Sequence, residues 1–150
     1  MAGKAFSGGE KLQARLAELA RNLSKSATVK VGFMGGAIYP DGTLVAAVAA
    51  FNEFGVPSHN QPPRPFFRGM IADKSPTWGD GVAEALKRCD YDAAEALDAV
   101  GEDIAGQLGK AIQDYSGPML APSTVATKGF AKQLIDTGDM WRSITHEVEE

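Results

Sequence analysis

AFNEFGVPSHNQPPRPFFR, running from Ala50 to Arg68, holds four of the chain's eight prolines and four of its seven phenylalanines. Phe51 and Phe54 close an apolar segment and Gly55 stops it. Pro57, Pro62, Pro63 and Pro65 fix φ at about −65° and remove backbone donors. Gln61, Pro62 and Arg64 each precede a proline and are pushed away from helix. The piece from Gln61 to Pro65 is therefore predicted to be a stiff rod close to polyproline II geometry. Pro65 suits the first position of a helix that Phe66 and Phe67 continue. A preorganised rod with aromatic anchors at both ends loses little entropy on docking. Phe54, Pro63, Arg64, Pro65, Phe66 and Arg68 are accordingly the expected interface residues. Arg64 and Arg68 have two readings: exposed charges covering apolar surface with their stems, or anchors for a carboxylate on a neighbour.

Upstream of this stretch, residues 1–9 are small and Gly-rich, which predicts a frayed or partner-ordered arm. Residues 10–150 read as one domain. Leu12, Leu16, Leu19 and Leu23 make a narrow apolar stripe on a helix over Glu10 to Ser24. Thr28 to Gly35 alternates, with Val29, Val31 and Phe33 on one face of a half-buried strand. Turn signals surround Pro40-Asp41-Gly42. Thr43 to Phe54 reads as a helix with Leu44, Val48, Phe51 and Phe54 in one stripe; a hairpin partner for the strand is the alternative.

Downstream, a short helix is expected from Phe66 to Asp73, a restart at Ser75-Pro76, and a second helix from Thr77 to Arg88. Asp90 to Tyr115 reads as the longest helix. Leu97, Val100, Ile104, Leu108, Ile112 and Tyr115 fall on one stripe, and Asp92, Glu95, Asp98 and Glu102 on the opposite face. Gly101, Gly106 and Gly109 each cost about 1 kcal/mol relative to alanine in a helix, which a close neighbour or a kink explains. Leu120 to Gln133 is a connection with at most one turn of helix after Pro122. A short helix capped by Asp136 or Thr137 follows, with Trp141 and Ile144 facing inward, and Thr145 to Glu149 can close the fold as a strand. The fold class expected is α+β: a few antiparallel strands packed against one long and several short helices, with extended loops.

Net charge is −4, unevenly spread. Residues 1–75 carry nine basic and five acidic side chains, a net of +4; residues 76–150 carry six and fourteen, a net of −8. This balance disfavours generic phosphate binding and allows oppositely charged faces to pair between copies. The single cysteine, Cys89, permits no internal disulfide. No apolar run approaches the ~20 residues of a membrane span. His59 and His146 lack metal-ligand spacing and read as exposed polar residues. Cys89 next to Arg88 has no evident catalytic partner. No catalytic, cofactor or metal site assembles from these residues.

Five segments occur in order: Phe51-Asn52-Glu53-Phe54-Gly55; Pro63-Arg64-Pro65-Phe66; Leu120-Ala121-Pro122-Ser123-Thr124 with Lys128-Gly129; Leu134-Ile135-Asp136-Thr137-Gly138; and Ser143-Ile144. With them the chain, from about Val29 to Val148, resembles the tail-component family of long-tailed bacteriophages, also called neck or tail-completion proteins. The resemblance implies a small α+β protein without a catalytic site. It implies a homo-oligomeric ring at the head–tail junction, between the head connector and the tail terminator or tail tube. Such a protein is made in the host cytoplasm and resides in the virion, and DNA passes through it without specific binding. The face of Asp92, Glu95, Asp98 and Glu102 would then approach the channel, where its charge repels phosphate. Rival readings are a tail-terminator subunit, a monomeric adaptor that docks a host protein through the rod, and a small hydrolase using Cys89 or a carboxylate pair.

Overall fold

The computed structural model describes residues 8–25, 27–129 and 134–149. The chain is an α+β domain, with six α-helices and one two-stranded antiparallel sheet among the described residues. The helices are α1 (Gly9–Ser24), α2 (Val45–Phe54), α3 (Phe66–Arg88), α4 (Ala93–Asp114), α5 (Pro122–Lys128) and α6 (Asp139–Arg142); the strands are β1 (Thr28–Gly32) and β2 (Thr145–Glu149). The expected arm lies outside the described residues except for Gly8 and Gly9, and Gly9 already opens α1. Residues 130–133 of the expected connection also lie outside them.

Helix α4 is the axis. Ala96, Val100, Ile104, Leu108 and Ile112 recur every fourth residue and are buried along one line. Asp92 caps the helix by accepting from the Glu95 amide at 3.0 Å, which satisfies one of the orphan amides of the first turn. The helix begins at Ala93 rather than Asp90 because Asp90 and Tyr91 hold positive φ, 52° and 63°. On one side α3 packs Phe66, Met70 and Ala85 against it. Trp78 Nε1 donates to Gln107 Oε1 at 3.0 Å and ties the far half of α3 to α4.

The expected break at Ser75-Pro76 is absent: α3 runs continuously for 23 residues with Pro76 inside it. Proline leaves the carbonyl four residues earlier without its helix donor. Residues 71–77 are all exposed, so water can serve that carbonyl.

On the other side of α4 lies the β1–β2 ribbon, where the closing strand falls on the expected residues. Val29 pairs with Val148 and Val31 with His146. These four side chains are half-buried, while Thr28, Lys30, Thr145, Glu147 and Glu149 face out. Gly101 is where the ribbon comes closest. A Cβ there would lie 2.7 Å from the Val29 methyl and 2.7 Å from the His146 ring. Neither can yield freely, since valine is stiff at χ1 and the ring is wedged beside its own strand. His146 is thus half-buried, with Nε2 2.9 Å from Asp98 Oδ1, and is not the exposed residue expected. Gly106 has open space above it, so no close neighbour explains that glycine.

Gly101→Ala is expected to lower stability by about 1–2 kcal/mol, the overpacking outweighing the gain in helix propensity of about 1 kcal/mol. Gly106→Ala should instead stabilise. Urea unfolding of the pair measures both, and equal signs would contradict this placement of the ribbon.

Candidate assembly surfaces

Two elements present large apolar side chains to solvent. Helix α1 buries none of its residues. Its leucine stripe forms as expected, but Leu12, Leu16 and Leu23 are all about half exposed. Its polar tie to the body is the ion pair between Arg15 and Asp90.

Of the expected α2 stripe, Val48 is half-buried, while Leu44, Phe51 and Phe54 face solvent, Phe54 at 65% exposure. The buried face is Val45, Ala49 and, at 5% exposure, Glu53. No charged side chain of α2 reaches solvent, because its two polar residues, Asn52 and Glu53, turn inward. Ile38 extends the apolar face through its bridge to Leu44 across the Tyr39–Gly42 turn. Beside Phe54 lies an apolar hollow of about 230 Å³ between α2 and α3, walled by Phe33, Ala46, Ala50 and Phe67. The Arg68 guanidinium lies over the Phe54 ring at 5.1 Å from its centroid.

Glu53 and Asn52 turn inward because the proline segment needs them. Pro65 is the N-cap of α3, not its first residue, and offers no capping side chain. The Glu53 carboxylate supplies the missing acceptor. It takes the Phe67 amide at 2.9 Å, the Arg68 amide at 3.1 Å and Arg68 Nε at 2.7 Å. A carboxylate at a helix N-terminus also meets the positive end of the helix dipole. The Asn52 carbonyl accepts the Arg64 amide at 2.7 Å, and its side-chain oxygen faces Gln61 Nε2 and Arg64 NH1, each at 3.4 Å.

The expected rod, Gln61 to Pro65, departs from polyproline geometry at its last residue. Val56 and Gln61 bridge across a 3₁₀ turn at Pro57–His59, with Asn60 at φ 53°. Pro65 sits at ψ 64°, far from the polyproline value of about 145°. The segment is folded against the end of α2, where backbone hydrogen bonds decide its path.

The expected interface residues divide accordingly. Phe54, Pro63, Pro65 and Arg68 are exposed. Phe66 is a core residue, edge-on to Phe33 at 6.5 Å and to Phe67 at 6.3 Å. Arg64 is 7% exposed, so its reading as a solvent-exposed charge does not stand.

Of the expected channel face, Glu95, Asp98 and Glu102 are exposed, with Asp103 beside them. Asp92 is occupied as the α4 cap and Asp98 by His146. Leu134, from the loop before α6, and Met140, from α6 itself, complete the core; neither lies on a periodic pattern, so composition alone gives no signal for them. The α6 helix is capped by Gly138 at φ 87° rather than by Asp136 or Thr137. Cys89 is the C-cap of α3, half-buried against the core. Among the described residues no group of three His, Cys, Asp or Glu could hold a metal ion, and no helix is long and apolar enough to cross a membrane.

Comparison of the chain with protein-family models, curated proteins and solved structures returned no match.

Proposed function

We propose that this chain is a structural subunit of the neck of a long-tailed bacteriophage. It forms a homo-oligomeric ring at the head–tail junction, joins the head connector to the tail terminator or tail tube, and lets DNA pass. The observation that carries this reading is the outer face of α2, where Phe51 and Phe54 stand exposed beside Ile38 and Leu44 and no charged side chain of the helix reaches solvent. An apolar face of this kind marks an interaction surface. A ring needs two different surfaces, one on each side of the subunit. The α1 leucine stripe and the outer face of α2 are two such surfaces on one chain. The exposed carboxylates of α4 suit a wall along which DNA slides without adhering.

Leu16→Glu and Phe51→Glu, each at a half-exposed site, should change the stability of the subunit by under about 0.5 kcal/mol and abolish self-association. Chemical unfolding and light scattering on the same samples read the two effects apart. The role itself is tested by electron microscopy of particles made by a phage lacking this protein. Filled heads and free tails, left unjoined, are the expected result. Joined, infectious virions would overturn the reading.

A further inference from the structure

Among the described residues no carboxylate forms an ion pair with the Arg64 guanidinium, a charge held inside the fold. Its side chain is 7% exposed, its NH1 reaches Asn52 Oδ1 only at 3.4 Å, and its buried Nε has no hydrogen-bond partner. Buried charges are ordinarily paired, because desolvation is otherwise uncompensated. The nearby carboxylate of Glu53 is committed to the α3 amides and to Arg68.

Arg64 lines an open hollow of about 530 Å³ between the proline segment and α5, together with Lys128, His59, Asn60, Gln61 and Thr124. The lining thus joins two cations to neutral donors and holds no acidic residue. Burial pushes the Lys128 ammonium below its ordinary pKa; the charge of Asp136 raises it and that of Arg64 lowers it further. Two positive groups that repel one another across a hollow form a receptor for an anion.

We propose that this hollow is an oxyanion site filled by a carboxylate of a second copy of the chain. The assignment to a second copy rests on the ring reading above and on charge. Residues 76–150 carry a net of −8, and Glu95, Glu102 and Asp103 stand exposed along α4. A carboxylate inserted beside Arg64 supplies the opposite charge that the guanidinium lacks among the described residues. Each junction between copies then carries one buried ion pair, which fixes register as well as contact.

The test follows the Arg64 Nε–Hε signal by ¹⁵N NMR in the full chain while light scattering follows its mass. The signal is expected to move over the same concentration range in which copies associate. Lys128→Glu places a carboxylate within the hollow of the same chain. It should keep the subunit folded and weaken association by about tenfold or more. Association with an unmoved Arg64 signal and an unchanged affinity in Lys128→Glu would overturn the site and leave the ring reading intact. A signal that moves on adding inorganic phosphate to the monomer, with association unaffected, would overturn the second copy as occupant. A chain that stays monomeric at every concentration, with its Arg64 signal fixed, would overturn the second-copy assignment and count against the ring reading itself.

Discussion

Glu53→Ala is expected to destabilise the chain by about 3 kcal/mol, from the loss of two helix-capping amide bonds and a carboxylate at the dipole's positive end. The ion pair with Arg68 adds little to that figure, because the Arg68 side chain is 58% exposed and screened by water. The buried amides of Phe67 and Arg68 are the larger loss, since nothing else at this helix end can accept from them. Against a total stability of about 5–15 kcal/mol, this is a large fraction. Glu53→Gln keeps one acceptor oxygen and should cost about half as much. Thermal unfolding should place the alanine variant roughly 10 °C below the parent, at about 2–4 °C per kcal/mol for a chain of this length. Equal melting temperatures would mean that α3 does not depend on the α2 carboxylate.

Gly55→Ala is expected to be more damaging, at about 3–5 kcal/mol. Gly55 sits at φ 75°, ψ 172°, a conformation that only glycine adopts without strain, costing about 1–3 kcal/mol for other residues. Space is closed as well. A Cβ would lie 2.7 Å from the Gln61 carbonyl oxygen and 2.7 Å from the Pro63 nitrogen. Both are backbone atoms of a proline-bound segment and cannot step aside as a flexible side chain would, so overpacking adds about 1–3 kcal/mol. Denaturant unfolding measures the loss. Gly36→Ala serves as the control: it shares a positive φ, 119°, but meets nothing within 4 Å, so it should cost only the backbone part. If the two variants lost equal stability, the close approach at Gly55 would play no part.

These two residues also mark how far the sequence could be read. Periodicity identified α1, α2, α4 and the strands because each rests on a repeating local pattern. The buried line of α4 is the plainest case, with Val100, Ile104, Leu108 and Ile112 all where their spacing puts them. Orientation was less legible. Leu44, Phe51 and Phe54 satisfy the spacing for an inward stripe, yet two polar neighbours are claimed by the backbone of the next segment. Unmet amides at α3 outweigh the burial of a phenylalanine, and the helix turns accordingly. The proline segment leaves its expected geometry at Pro65, next to Arg64, whose amide is held by the Asn52 carbonyl, a tertiary contact that a local rule does not contain. Arg64 read either as an exposed charge or as an anchor for a neighbour's carboxylate; its burial removes the first reading, and its unmet Nε becomes the argument for an anion site.

Light scattering of the purified chain across a wide concentration range, alone and mixed with purified heads and tails of the long-tailed phage proposed as its source, bears most directly on the claim that this is an assembly subunit. The account predicts a closed oligomer of a single mass, or several copies bound per particle, with either lost in Phe51→Glu. A monomer at every concentration that also ignores both heads and tails would contradict it.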